Sequence, residues 1–258
     1  MQTYPAVVLA GYSPRKPDPL ALALGAERKA LIEVAGKTMV QWVVQALRAS
    51  GRIGLIAVVG VGPEDGADLG DVLHVPNQEG QFDNTLAGIR AVQERAPQTE
   101  MVVVASGDIP LLRAETVDWY VDTCERRPVD FYYTLIEQKV MEKQYPGSGR
   151  SYVPLVEGRF CGGDLSWVRA AVVRNNEQLV RELLARRKNA FAQIRLAGYG
   201  TILKFLLRRL SIRDAERVGS RLMHCDTRII VSPYADMGMD VDKPHQLDMA
   251  RRILGAAA

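Results

Sequence analysis

The chain has 258 residues, 47% of them hydrophobic and 24% charged, with a formal net charge of +3. That length allows one α/β domain with a sizeable core, and the balance excludes a disordered chain and is too weakly basic to argue for a nucleic-acid partner. Cys124, Cys161 and Cys225 are widely spaced with no Cys-x-x-Cys pair, which excludes a disulfide framework or structural zinc site, and no run of about 18 apolar residues offers a membrane span.

The N-terminus lacks a basic segment followed by a long apolar one, so a cytoplasmic location is expected. An apolar run over 6–10 ends at Gly11 and predicts a buried strand. Residues 12–33 hold prolines, charges and an Ala/Leu stretch, the pattern of a long functional loop with one helical turn. Helical spacing over 38–47 follows Gly36 and is closed by Gly51. A second buried strand is predicted over 53–59 and a short third over 72–75. Residues 84–94 predict a helix with Leu86, Ile89, Ala91 and Val92 on its apolar face.

Further along, 101–105 predicts a strand, 115–126 a helix, and 131–136 and 152–156 strands. From 165 to about 223 the chain is nearly all helical in character. It returns to a strand over 227–231 and ends in a helix over 244–254 with Pro244 in its first turn. Strands alternating with helices imply a mostly parallel sheet covered on both faces. Residues 1–258 thus read as a single domain, with 165–225 a helical insertion before the last strand.

In an open α/β sheet, ligands gather outside the carboxyl ends of the strands. Leu9, Ala10 and Gly11 stand at one such end, where backbone N–H groups can hold phosphate oxygens. At another, an apolar strand runs into Ser106-Gly107-Asp108-Ile109-Pro110. A hard cation such as Mg²⁺ is commonly held by one or two carboxylates plus substrate phosphates, so Asp108 needs a partner. In an extended segment Asp240 and Asp242 project to one side and are the candidates.

Plainer roles stand beside these. Asp108 can close a turn, and Asp240, Asp242 or Asn84 can cap a helix. Lys29 can be a solvated loop lysine. Arg15 and Lys16 reach phosphates only if their loop folds inward. Gly60-Val61-Gly62 hints at a dinucleotide loop, but Asp65 stands where the third glycine belongs.

Four stretches in order resemble the MobA-like nucleotidyltransferases, the group around molybdenum-cofactor guanylyl- and cytidylyltransferases. They are Leu9-Ala10-Gly11, Arg28-Lys29-Ala30-Leu31 through Val34-Ala35-Gly36-Lys37, Gly107-Asp108-Ile109-Pro110, and Asp240-Val241-Asp242-Lys243-Pro244-His245-Gln246-Leu247. Together they span about 5–125 and 226–255. The resemblance implies a three-layer α/β/α sandwich of the Rossmann-like, glycosyltransferase-A type. It also implies Mg²⁺-dependent transfer of a nucleotidyl group from a nucleoside triphosphate to a small phosphorylated acceptor, with release of pyrophosphate. Lys29 then neutralises phosphates beside Asp108, and Asn84 and Gly88 lie near the nucleotide. Tyr12-Ser13-Pro14-Arg15-Lys16 departs from the family's second glycine and arginine, and the loop to Lys29 is long. Glycosyl transfer from a nucleotide-sugar, or nucleotide binding without catalysis, are the competing readings.

Between 181 and 221 stand 11 basic residues (Arg181, Arg186, Arg187, Lys188, Arg195, Lys204, Arg208, Arg209, Arg213, Arg217, Arg221), opposed by Glu182, Asp214 and Glu216. The default is a solvated helical face, and a lid over an anionic acceptor is an alternative. Over 199–209 the interleaved Tyr199, Ile202, Leu203, Phe205, Leu206 and Leu207 also allow contact with an anionic membrane surface. Apolar residues at helical spacing are, however, more often core.

Overall fold

The structure, a computed structural model, describes residues 2–78, 80–177 and 199–256. Its main sheet runs β5 (Leu73–Val75), β4 (Ile53–Val59), β1 (Tyr4–Leu9), β6 (Met101–Ser106), β9 (Gly158–Arg169), β7 (Phe131–Glu137) and β10 (Thr227–Ser232). The short β8 (Val153–Leu155) pairs with the start of β9. All neighbours along this order are parallel except β9, which is antiparallel to both β6 and β7.

Alternate residues of the central strands enter two cores, which is why their sequences are continuously apolar. On one face Ala6, Val8, Val58, Val103 and Ala105 meet α2 (Met39–Ala49), α4 (Ala114–Arg126) and α9 (Pro244–Gly255). On the other, Val7, Val59, Val102 and Val104 meet α3 (Gln81–Arg95) and α6 (Ala170–Asn175). The result is the expected three-layer α/β/α sandwich. Helix α2 starts with a capping box: Gln41 N–H donates to Thr38 Oγ1 (3.4 Å) and Thr38 N–H to Gln41 Oε1 (2.7 Å).

The sequence reading missed several elements. Residues 165–169, expected to open the helical stretch, are the second half of β9, and helix begins only at Ala170. Three more elements were read as loop or left unread: α5 (Gln138–Gln144) and the hairpin of β2 (Glu33–Val34) with β3 (Lys37–Thr38). The loop over 12–33 contains α1 (Pro19–Ala23), capped by Asp18 Oδ1, which accepts from Leu20 N–H (2.9 Å) and Ala21 N–H (3.1 Å). Between α6 and β10 the described helices are α7 (Tyr199–Leu206) and α8 (Ile212–Met223). Arg181, Arg186, Arg187, Lys188 and Arg195 lie outside the described residues.

Candidate active site

Parallel pairing sets Leu9 opposite both Val59 and Ser106. Ala10 N–H donates to the Val59 carbonyl and Gly107 N–H to the Leu9 carbonyl, each at 2.9 Å. Gly11 and Asp108 therefore leave the sheet side by side, at the end where ligands collect. A side chain at Gly11 has no room: its Cβ would stand 2.1 Å from Asn84 Nδ2 and 2.7 Å from Asn77 Oδ1.

Those two asparagines hold the loop after β1. Asn77 accepts from Tyr12 N–H (3.1 Å) and donates to the Tyr12 carbonyl (2.8 Å). Asn84, buried in the first turn of α3, accepts from Gln78 N–H (2.6 Å). At the other end of the loop, the Arg28 guanidinium stacks 4.5 Å over the Tyr12 ring and pairs with Asp65. Asp65 also accepts from Gly62 N–H (2.8 Å), so the residue that breaks the glycine spacing serves to anchor the loop. Clamped in this way, 12–28 wall a cleft of about 850 Å³ whose floor includes Gly11, Lys29 and Asp108. A smaller hollow of about 350 Å³ adjoins it at Leu9, Asn84 and Ser106.

Lys29 opens a single 3-10 turn, and its Nζ lies 2.6 Å from Asp108 Oδ2 and in direct ion pair with Asp242. Burial by itself lowers the Lys29 pKa, but the charges and hydrogen bonds of Asp108 and Asp242 outweigh it and hold the ammonium above its ordinary value. Asp108 Oδ1 accepts from Ser106 Oγ (2.6 Å). The two distant stretches meet through the backbone as well, where Val241 N–H donates to the Asp108 carbonyl (3.0 Å).

The late segment is held by Asp236, fully buried, which accepts from Thr116 Oγ1 (2.6 Å), Arg113 Nε (3.1 Å) and Arg113 N–H (3.2 Å). From there Met237, Met239 and Val241 enter the core, leaving Asp240 and Asp242 on the opposite side as the i, i+2 argument requires. The two then diverge. Asp242 reaches Lys29, whereas Asp240 pairs with Arg150. The two candidates from the late segment thus have different cationic partners.

Arg150 and Asp164 were not singled out from sequence. Arg150 Nη2 donates to the Gly162 carbonyl (3.1 Å) and stands 4.0 Å from Asp164 Oδ2. Burial, then the negative charge of Asp108, pushes the Asp164 carboxyl up to about 7, against the opposing pull of Arg150 and Lys29. No strand pattern announced β9, so nothing marked Asp164 as lying beside Asp108.

The remaining candidates fall in different places. Gly88 packs into the helix–sheet contact, where a Cβ would stand 2.4 Å from Val7 Cγ1. Arg15 lines a separate hollow with Asn77 and Gln78, while Lys16 lines the main cleft. His224, with φ of 47°, ends α8 in a left-handed turn.

Asp108 and Asp242 each direct an oxygen at one ammonium group, so both carboxylates reach a single cationic centre. Two carboxylates completed by phosphate oxygens are a donor set that a hard divalent cation accepts. Among the described residues no group of three or more His, Cys, Asp or Glu is arranged to hold a metal by itself.

A doubly covered sheet with one reversed strand, and acidic and basic groups at the ends of β1 and β6, define the class: an α/β nucleotidyltransferase fold. Residues 6–210 match the MobA-like NTP transferase domain, and the chain belongs to that family. A hypothetical transferase from Thermus thermophilus is 32% identical and superposes with a TM-score of 0.80, covering 95% of this chain and 99% of its own. CMP:2-keto-3-deoxy-manno-octonic acid synthetase in complex with CTP shares the fold at 14% identity, with a TM-score of 0.61 over 100% of both chains. The bifunctional protein GlmU of Staphylococcus carnosus is 33% identical over 131 residues, which is 50% of this chain but only 27% of that protein. The family match runs through 130–210, which the motif comparison had left out, and stops before Asp240 and Asp242.

Proposed function

We propose that the chain transfers a nucleotidyl group from a nucleoside triphosphate to a small phosphorylated acceptor, releasing pyrophosphate, with Mg²⁺ held by Asp108 and Asp242. The convergence of these two carboxylates and Lys29 at the floor of a nucleotide-sized cleft carries the reading. The backbone at Gly11 faces the triphosphate, while the Ala10 and Gly107 N–H groups, spent on the Val59 and Leu9 carbonyls, fix the loop in place around it. Lys29 neutralises its charge, moving from the carboxylates onto phosphate oxygens. Bound there, the metal supplies the further positive charge that phosphoryl transfer needs. An acceptor phosphate oxygen attacks the α-phosphorus, and the bond to the bridging oxygen breaks so that pyrophosphate leaves with its electron pair.

Asp240, Arg150 and Asp164 flank this centre on the side of β9, and the acceptor belongs there. Arg150 is the one cation among these three, and a phosphorylated acceptor offers it a partner to exchange for Asp240. Asp240 is thus a positioning residue and not a metal ligand. The reading is tested by measuring pyrophosphate release from CTP, GTP, ATP and UTP across a panel of phosphorylated acceptors. CTP comes first, as the ligand of the structurally similar synthetase. Metal-dependent release with one NTP and one acceptor is expected, and tight NTP binding with no turnover on any acceptor contradicts it.

A further inference from the structure

Leu203, Phe205, Leu206 and Leu207 of the basic stretch belong to neither core. On α7 and the turn that follows, Leu203, Leu206 and Leu207 are 58%, 70% and 58% exposed, and Phe205 beside them is 43% exposed. Spacing of three and four residues puts the leucines on one helical face. The β8–β9 hairpin adds Val153 on its first strand and Val156 in its turn, also exposed, and Val156 N–H donates to the Leu210 carbonyl (2.9 Å), which joins the two segments.

Its rim is cationic. Arg159, Arg208, Arg209 and Arg213 are exposed and make no ion pair with a described residue. The nearby acids are already engaged: Asp214 accepts from Lys204 (2.8 Å), and Glu157 accepts from Ile212 N–H (3.1 Å). Contiguous exposed apolar surface of this kind marks a docking site. A second copy meeting it symmetrically would bring the same arginines together. Anionic lipid headgroups complement the rim, while the leucines and Phe205 reach the acyl boundary. Among the described residues no helix is long and apolar enough to cross a membrane, so the contact is a seat on the surface.

We propose that the face made by α7 and the β8–β9 turn docks the protein on an anionic bilayer. The full chain, without nucleotide, is sedimented with vesicles of phosphatidylcholine alone or mixed with phosphatidylglycerol, so the outcome is independent of the transfer reaction. Binding to the mixed vesicles only, weakened by salt, is expected. The double substitution Leu206→Glu with Leu207→Glu abolishes it. Arg208→Gln with Arg209→Gln weakens it about 30-fold, from about 1 kcal/mol per lost charge. Absence of binding, equal binding to both vesicles, or binding untouched by either variant overturns the proposal. A dimer in sedimentation velocity that Leu206→Glu with Leu207→Glu converts to monomer also overturns it, and assigns the face to a second copy.

Discussion

At Lys29 one ammonium satisfies two carboxylates that would otherwise repel each other, and that arrangement decides what the site can hold. Asp108 was legible because an apolar strand delivers it to a strand end, and Asp242 because alternation along 239–242 sends it to the open side. Alternation alone could not separate Asp242 from Asp240, since that depends on Arg150, 90 residues earlier in the chain. Asp164 offers a sharp test of the electrostatics. Its folded-state pKa of about 7 lies above the ordinary 3.8, so the protonated form favours folding. That advantage is complete below about pH 4 and is lost as pH rises through about 7. Asp164→Asn should therefore match the wild type near pH 4 and exceed it in urea stability near pH 8, by at most ~4 kcal/mol. An equal change at both pH values would place the effect in packing.

At the scale of elements, loop and helix contacts shape the cleft. Because Arg28 closes the 12–28 loop from the side through Tyr12 and Asp65, Arg28→Ala should loosen substrate binding more than chemistry. A rise of roughly tenfold in KM for the triphosphate, with kcat little changed, is expected in steady-state kinetics. A fall in kcat at constant KM would assign Arg28 to the chemical step instead. Helix α3 lies so close to β1 at Gly88 that Gly88→Ala should cost ~1–3 kcal/mol by overpacking, despite alanine's better helix propensity, and chemical denaturation will show it. Such a loss confirms a packing role for a glycine that resemblance assigned to the nucleotide; unchanged stability with weakened nucleotide binding restores the first assignment. Strand β9 was illegible for a related reason: Gly162, Gly163 and Asp164 interrupt its apolar pattern, and its pairing with β7 shifts register there. A strand held by neighbours on both sides needs no propensity of its own.

For the whole molecule, the sheet and its two cores followed from apolar runs that are buried on both faces, and only the reversed strand escaped that pattern. The fold brings residue 29, residue 108 and residue 242 to one point, so the enzyme reading stands on tertiary structure and on no single motif. A ligand that bridges these three segments should stabilise the whole domain, by about 2.7 kcal/mol at 100 times its Kd. The most direct measurement is calorimetric titration of CTP or GTP, with and without Mg²⁺, into the wild type, Asp108→Asn and Asp242→Asn. The account predicts nucleotide binding that Mg²⁺ tightens in the wild type and in neither variant. Nucleotide binding that is indifferent to Mg²⁺ and unchanged by Asp108→Asn would contradict it.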